Sequence, residues 1–538
     1  MNIVLFLPYA PWIAHSFTEL TIALALKVRG CNVLVVGCDG AVRDCDMTLP
    51  SFGTVRPNCT TCRAESETII KGFGVNYAWL GGIATEDGIK AADAWIDGLR
   101  DDELAGATYA GLPVGELVAS SVHTNMRCAE IDPDDAPAVA FWRRLIHNGA
   151  LTAAALPRVL DAMRPHALIV FNGRISSTRV AFEAARARGI RTIVEERAFN
   201  GIVRLFENET GTAIAPYEEG WRLWRDTPLS APEIKRLAAY FGERLAGKTL
   251  ETQMFSDVES AVDALRARLG IDPSRPVVTY FASSPDEGMG QHMVDPRLAD
   301  MSRYVGDLVD YARARPDVQL ILRAHPWWFA RKATGSNKVQ IAFFAELAAR
   351  LPANAVYVPP EDRVLSYDLM RLSDVVAHWF STTGIEAGMM GVPVVQPQLR
   401  GYSPRPHCRY LTTGTLAATL DELVSSGRKP GPNLETARHA WRDAYSYFYR
   451  TGYDFTPVSF GDDPYSSKLT YDRPEDLAPG KHADLDWICE AIMTGQRLQR
   501  GPQPADATRS AASEQAAIAS AVRAAREAPM ALLKLAAA

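Results

Sequence analysis

Hydroxyl and carboxyl side chains follow one another in the segment Ala282–Gly288, near the middle of the chain. Ser283 and Ser284 come directly after an apolar run, where hydroxyls and a helix start can hold a phosphate. Asp286 and Glu287 then offer a general base or an acceptor for a hydroxyl group. An ordinary helix N-terminus with acidic residues in its first turn has the same pattern, so both interpretations stay open.

Cationic side chains mark a second segment, in which Arg323 and His325 stand two residues apart and Pro326 follows. Both side chains can donate hydrogen bonds to a diphosphate or to a departing phosphate. Alternatively, the His-Pro pair forms only a turn that ends a strand. A further loop, Pro359–Asp362, precedes a helical pattern and fits simple capping as well as closure over a base or sugar.

Small hydroxylated residues form a third segment, Ser381, Thr382 and Thr383, followed by Gly384. Their position at a predicted helix start would expose free N–H groups to an anion. Glu386 lies one turn into that helix and can accept hydrogen bonds from a ribose. This segment is the most specific chemical signal in the sequence.

Four cysteines gather in the first part of the chain: Cys38, Cys45, Cys59 and Cys62. Four thiolates can bind a structural zinc ion, and the last two form a C-x-x-C pair. The first gap is atypical of a zinc ribbon, so unbound buried thiols remain the alternative. The remaining cysteines are scattered.

The segments that carry these groups follow apolar runs with the pattern of β-strands. Runs at Ile3–Leu7 and Asn32–Val36 flank a helical pattern that ends at Gly30, which predicts a βαβ unit and a parallel sheet. The predicted organisation is an N-terminal α/β domain at 1–245 with an insertion at about 39–140, a second α/β domain at 246–430, helices packing back at 431–500, and an Ala-rich tail at 501–538. The pattern of the tail fits either a loosely attached segment or a contact element, that is, a helix that packs on the rest of the protein.

Composition narrows the class of protein. The chain has 538 residues, of which 47% are hydrophobic and 22% charged, so it is an ordinary folded protein with two or more domains. A formal net charge of -6 argues against a general nucleic-acid binder. No apolar run reaches the roughly 18–20 residues of a membrane span, and we expect a cytoplasmic protein.

The order of Ser-Ser-Pro-Asp-Glu, Arg-Ala-His-Pro and Ser-Thr-Thr-Gly-Ile-Glu-Ala resembles GT-B glycosyltransferases of bacterial surface-polysaccharide biosynthesis. It is most similar to the capsule-polysaccharide group related to Kdo transferases and bacterial sialyltransferases. The resemblance implies an α/β fold with two Rossmann-like domains facing a cleft, with C-terminal helices. It also implies that the His-Pro and Ser/Thr segments bind the donor nucleotide. In the related sialyltransferases an acidic pair followed by Gly supplies a catalytic carboxylate from the N-terminal domain. Here Asp286 and Glu287 open the second domain, so donor contact fits them as well as a catalytic role does.

The resemblance extends more loosely into the first domain, at Cys38–Gly40, Asn172–Arg174 and Glu196-Arg197. GT-B enzymes bind the acceptor there. His15, with Glu19 beside it, and Glu196 are therefore candidates for the catalytic base, while His15 opens a predicted helix and also fits a first-turn role.

Many retaining GT-B enzymes have two Glu residues eight positions apart, but His378 lies eight positions before Glu386, which favours inversion. The predicted function is a metal-independent, inverting transferase using a CMP-linked acidic sugar or a UDP or GDP sugar. The acceptor would be a saccharide or lipid-linked glycan, which would bring the protein to the inner membrane face. We expect no cofactor for catalysis, and a structural zinc ion stays one of the two interpretations of the cysteine cluster. The alternatives are a sugar-nucleotide epimerase or hydrolase, a polyol-phosphate transferase, and a non-catalytic docking protein.

Overall fold

The computed structural model describes most of the chain. The described residues are 1–43, 45–48, 58–126, 131–198, 201–211, 213–249, 261–283, 301–326, 338–379, 381–397, 403–412, 414–427, 432–461, 466–527 and 529–537. They form two compact units. Unit 1 contains Met1–Pro216 and Thr451–Arg500, and unit 2 contains Tyr217–Gly288, His292–Arg450 and Gly501–Ala538.

Unit 1 is built on a six-stranded sheet in the order β3-β2-β1-β4-β5-β6. All neighbouring strands are parallel except β5 and β6, which are antiparallel. In chain order the elements are β1 (Asn2–Leu7), α1 (Ile13–Val28), β2 (Asn32–Gly37), α2 (Cys59–Gly72), β3 (Asn76–Trp79), α3 (Leu80–Ala84), α4 (Glu86–Asp97), α5 (Val114–Met126), α6 (Ala136–Met163), β4 (Ala167–Phe171), α7 (Ser176–Arg186), β5 (Arg191–Arg197) and β6 (Val203–Glu207). The central strands are apolar along almost their whole length, as expected when helices cover both faces of a parallel sheet.

Unit 2 repeats this plan with the order β12-β11-β10-β7-β8-β9, and its strand pairs are all parallel in the described residues. Its elements are α8 (Ala215–Trp224), α9 (Ala231–Leu245), α10 (Val262–Arg268), β7 (Val277–Phe281), α11 (Met301–Ala314), β8 (Gln319–Arg323), α12 (Lys338–Ala348), β9 (Ala355–Val358), α13 (Ser366–Leu372), β10 (Val375–His378), α14 (Thr383–Met389), β11 (Val394–Pro397), β12 (Cys408–Leu411), α15 (Leu416–Gly427) and α16 (Leu434–Tyr445). Both sheets follow the 3-2-1-4-5-6 order of a Rossmann fold. The predicted pair of Rossmann-like domains is therefore confirmed.

The C-terminal part of the chain is divided between the units. Residues 451–500 return to unit 1 and form β13 (Val458–Ser459), β14 (Lys468–Leu469) and α17 (Ala483–Thr494). The Ala-rich tail forms α18 (Ala511–Glu527) and α19 (Pro529–Ala537) within unit 2, where Ile518, Val522 and Leu532 are buried. Of the two interpretations of the tail, the structure selects the contact element.

The domain boundary also differs from the prediction. The chain passes into unit 2 after Pro216 rather than at about residue 245, because α9 contributes buried side chains such as Phe241 to that unit. The segment 39–140, interpreted from sequence as an insertion, supplies β3 to the sheet and several helices around it. Within the described ranges, no helix combines the length and apolar character that crossing a bilayer requires.

Candidate active site

The strand order fixes where a ligand would bind in unit 1. The order reverses between β1 and β4, and ligands of open α/β sheets bind beyond the carboxyl ends of the strands at such a switch point. The loop after β1 leads into α1 and carries Tyr9 and Trp12, and β4 ends at Phe171. His15 lies in the first turn of α1. The switch point of unit 1 is therefore lined by aromatic and titratable side chains.

His15 forms a buried pair with Glu195 at this point. Its Nδ1 lies 2.9 Å from Oε2 of Glu195, whose side chain is fully buried. The imidazole contacts the rings of Phe171 and Trp12, with centroids 4.1 and 5.0 Å away. These contacts fix the ring, and no described residue bonds Nε2.

Burial dominates the acid–base behaviour of this pair. It lowers the pKa of His15 to about 4, although Glu196 acts in the opposite direction. Burial raises the pKa of Glu195 well above its ordinary value, and the charge of Glu196 adds to the rise while Arg197 opposes it. The imidazole is therefore neutral near pH 7. A neutral histidine bonded through Nδ1 to a carboxyl group can present Nε2 as a proton acceptor.

Glu196, the predicted alternative base, faces away from His15. Successive side chains of a strand point to opposite faces, and the Glu196 carboxylate accepts a hydrogen bond from the Asn172 amide. Asn172 adopts a left-handed backbone conformation with φ 57°, directly before Gly173 with φ 62°. The Glu196 carboxylate is thus bonded to the loop after β4, and its role as a base stays a prediction.

A second buried polar network joins the loop after β1 to α7. Asp46 Oδ2 accepts hydrogen bonds from Tyr9 and from Ser176, the first residue of α7, at 3.1 and 2.5 Å. Ser121 accepts from the backbone N–H of Ser176 at 2.8 Å. The N-terminus of α7 is therefore occupied by a carboxylate of the chain itself, which anchors the segment around Asp46.

The four clustered cysteines lie near one another without forming a metal centre. Burial raises the pKa of Cys38 to about 11 and raises that of Cys45 well above its ordinary value, and both thiols interact with Cys62. Cys59 opens α2 beside Gly40. Throughout the described part of the chain, no three His, Cys, Asp or Glu side chains are arranged to hold a metal ion. This geometry gives no support to the zinc interpretation.

The strand order of unit 2 reverses between β7 and β10, which places a second switch point beyond Phe281 and His378. Ser283, two residues after β7, is buried. Ser381, Thr382 and Thr383 follow β10 and are half-buried. Ser284, Asp286 and Glu287 lie outside the described residues.

Arg323 is bonded to a loop of unit 2 that is distant from it in the sequence. It ends β8, is 1% exposed, and donates to the carbonyl oxygens of Pro359 and Asp362 at 2.5 and 3.0 Å. Burial lowers its pKa to about 10. Arg323 therefore holds the loop after β9, and His325, half-buried two residues later, is better placed than Arg323 to meet a ligand.

Glu386 is also engaged within unit 2. Its Oε1 accepts hydrogen bonds from Arg244 of α9 at 2.7 and 2.6 Å, and both side chains are buried. The predicted ribose contact would have to share the carboxylate with this ion pair.

Two glycines of α14 make room for two buried histidines. A Cβ on Gly384 would lie 2.1 Å from Nε2 of His378, and one on Gly388 would lie 3.2 Å from Cδ2 of His407. Residues four apart share one face of a helix, so both rings lie against the same face of α14. The Nδ1 atoms of both rings are buried without a hydrogen-bond partner among the described residues.

We expect Gly384→Ala to destabilise unit 2 by about 1–3 kcal/mol, because the added methyl must displace a packed imidazole. Gly306→Ala is the matched control. Gly306 lies inside α11 with open space at its Cβ position, so alanine there should stabilise the protein by about 0.5–1 kcal/mol. Urea unfolding of both variants measures the difference, and equal effects would contradict the packing described.

The same histidines predict acid sensitivity. Burial lowers the pKa of His378 and of His407 to about 3, so the unfolded chain, with pKa 6.5, takes up protons first. The stability they contribute is present above pH 6.5 and is lost as pH falls toward 3. Between pH 7 and pH 5 the loss should be about 2 kcal/mol per histidine. Urea unfolding at both pH values should show a smaller loss for His378→Gln than for wild type, and equal losses would refute the assignment.

No protein-family model and no curated protein sequence matches the chain. Solved structures with some likeness include the β-Kdo 2,4 transferase KpsC of Thermosulfurimonas dismutans, with 14% identity over 52% of this chain and 79% of that one, and a TM-score of 0.31. A UDP-GlcNAc 2-epimerase from Neisseria meningitidis is 11% identical over 84% of this chain and 99% of its own, with a TM-score of 0.25. The spinosyn rhamnosyltransferase SpnG is 12% identical over 83% of this chain and 97% of its own, with a TM-score of 0.25. The Rossmann-like architecture of each unit follows from its strand order.

Proposed function

We propose that the protein is an inverting glycosyltransferase that moves a sugar from a nucleotide-sugar donor to a hydroxyl group of a glycan acceptor. The observation that supports it best is the His15–Glu195 pair, a buried 2.9 Å contact at the switch point of a Rossmann-like unit. A neutral, oriented imidazole is the group that deprotonation of a sugar hydroxyl needs.

In the proposed reaction His15 donates its Nδ1 proton to Glu195 in a hydrogen bond and keeps the Nε2 lone pair for the acceptor. Nε2 removes the hydroxyl proton while the acceptor oxygen bonds to the anomeric carbon and the bond from that carbon to the phosphate oxygen breaks. The imidazolium that forms is stabilised by Glu195. The phosphate leaves with the electron pair. Within unit 2, His325, Ser283 and the segment Ser381–Thr383 are the proposed contacts for a nucleotide phosphate.

A nucleotide-sugar epimerase or hydrolase is the second candidate. Glu19 favours it, because a further carboxyl group beside His15 suits a reaction in which a proton is removed and returned. The acceptor decides between the two activities: a transferase releases nucleotide in proportion to added acceptor, whereas an epimerase or hydrolase turns over without one.

Nucleotide binding can be tested before the donor sugar is known. CMP, CDP, UDP, GDP, ADP and dTDP are each added to wild type, to His325→Ala and to the control His482→Ala, whose half-buried histidine bonds Thr456 in unit 1. We expect one nucleotide to raise the melting temperature of wild type and control, and the shift to be lost in His325→Ala. If none of the six shifts the melting temperature, the proposal fails and a docking protein becomes the better explanation.

A further inference from the structure

Glu19 is a buried carboxyl group without a local partner. It lies four residues after His15 on α1, so both side chains leave the same face of the helix. Its exposure is 0%, and it lines a small cavity together with His15, Tyr9, Trp12 and Phe171. The cavity does not admit a water molecule. Both carboxyl oxygens of Glu19 lack a hydrogen-bond partner among the described residues.

Among the described residues, no cation is recorded as acting on Glu19 itself. Glu195, on the neighbouring strand β5, acts on it electrostatically, and one oxygen of Glu195 also lacks a described partner. The other groups on the elements packed against α1 are apolar, paired or exposed. Strands β1, β2 and β4 contribute apolar residues. Among the charged residues, Arg191 pairs with Glu207, Glu196 with Asn172, Arg197 with the carbonyl of Gly461, Asp484 with Arg500, Asp486 with Arg29 and Asp476 with the backbone of Arg473, while Glu475 and Glu490 are exposed. Burial, with the charge of Glu195, raises the pKa of Glu19 well above its ordinary value.

We infer that Glu19 holds a proton at neutral pH, and that Glu195 is the carboxyl group of the two that ionises, because Glu195 has the His15 Nδ1 contact and the nearby charge of Arg197 in its favour. Two ionised carboxylates in a dry cavity would compete for the Nδ1 proton, since each would be stabilised by taking it up. A protonated Glu19 removes this competition and keeps the imidazole in the form whose Nε2 is open. Glu19 is thus a positioning residue. This role rests on the proposed function of His15, whereas the protonation state does not.

Stability against pH tests the protonation state without any substrate. A carboxyl group whose folded-state pKa is raised contributes stability at low pH, and this is lost as pH rises above the unfolded value near 4.5. Glu19→Gln, which keeps the shape and is always neutral, should therefore melt at the same temperature as wild type at pH 4 and at a higher temperature at pH 8. Glu195→Gln is the control and should gain less than Glu19→Gln at pH 8, because the carboxyl group it removes has the contact with His15 Nδ1 that Glu19 lacks. A Glu19→Gln variant that melts below wild type at pH 8 overturns the inference.

Two further readouts separate this inference from the proposed function. An infrared difference spectrum of wild type minus Glu19→Gln at pH 7 should contain the carbonyl band of a protonated carboxyl group, and its absence overturns the inference. With a donor and acceptor in hand, Glu19→Gln should keep kcat within about threefold of wild type, while Glu195→Gln should lose at least about 100-fold. If Glu19→Gln loses as much as Glu195→Gln, Glu19 is an ionised catalytic group and the inference is wrong. If His15→Gln keeps full activity, the proposed function fails, and the melting and infrared results still decide the protonation of Glu19.

Discussion

His15→Gln is expected to lower turnover of the nucleotide sugar by about 10²–10⁴-fold, the contribution of a positioned general base. Glutamine keeps a polar group that can contact Glu195 but has no lone pair of imidazole basicity. The folded structure should tolerate the change, because the ring lies against Phe171 and Trp12 at the rim of the sheet. Acceptor-dependent release of nucleotide is the measurement, with melting temperature recorded alongside.

His147→Gln is the matched control for this prediction. His147 also pairs with a carboxylate, at 2.7 Å from Asp93, but it lies on α6 among the helices of unit 1 and away from the switch point. Its turnover should equal that of wild type. Equal losses in the two variants, or a His15→Gln loss that follows its melting temperature, would contradict the assignment of His15 as base.

The same assignment predicts the acid limb of the pH profile. Because burial lowers the pKa of His15 to about 4, the imidazole stays neutral well below the ordinary value of 6.5. Values of kcat/KM should therefore hold down to about pH 5 and fall as pH approaches 4. A fall centred near 6.5 would mean that His15 is solvated or is not the base.

The sequence predicted the sheet of each unit, but it did not single out Glu195 as the partner of His15. That partner could have been found, because side chains alternate along a strand. Ile193 belongs to the apolar cluster that includes Leu20 and Leu24 of α1, so Glu195, two residues later, must face α1 as well. His15 opens that helix. Period-two counting therefore points to Glu195, whereas the resemblance to known transferases pointed to Glu196.

The hydrogen-bond partners of Arg323 and Glu386 could not be predicted from the sequence. Each residue was interpreted as a ligand contact because it follows a strand or opens a helix, and local position is all that a motif provides. The structure gives Arg323 the carbonyls of a loop 36 residues later and gives Glu386 an arginine 142 residues earlier. Such pairings depend on which helix lies over which strand, and no local pattern encodes that. The contact between Gly384 and His378 is hidden for the same reason.

The Ala-rich tail illustrates a weak local pattern that gains its structure from packing. Ile518 and Val522 lie four residues apart and are buried against unit 2, but alanine-rich segments with so few large side chains also occur as loose ends. The deciding residue is Glu514, whose side chain is 0% exposed. A buried glutamate on a tail is informative because the charge must have a partner.

Glu514→Ala is expected to destabilise unit 2 by about 3–5 kcal/mol, the cost of leaving a buried charge without its partner. The Glu514 carboxylate accepts hydrogen bonds from Nε and a terminal nitrogen of Arg442, at 2.7 and 2.5 Å. It also accepts a hydrogen bond from the backbone N–H of Leu229, at 2.7 Å. Arg442 also donates to the carbonyl of Arg225. One carboxylate thus ties α18 to α16 and to the segment that precedes α9. Urea unfolding followed by intrinsic fluorescence measures the loss.

Two further variants test whether the buried ion pair is responsible for this loss of stability. Glu422→Ala breaks the pair of Glu422 with Arg409, whose side chains are 59% and 56% exposed, and should cost no more than about 1 kcal/mol. The double variant Glu514→Ala with Arg442→Met removes both buried charges, so it should be less destabilised than Glu514→Ala alone. If Glu514→Ala unfolds at the same urea concentration as Glu422→Ala, the tail does not depend on this ion pair. If the double variant is the least stable of the three, packing of the Arg442 side chain, rather than its charge, holds the tail in place.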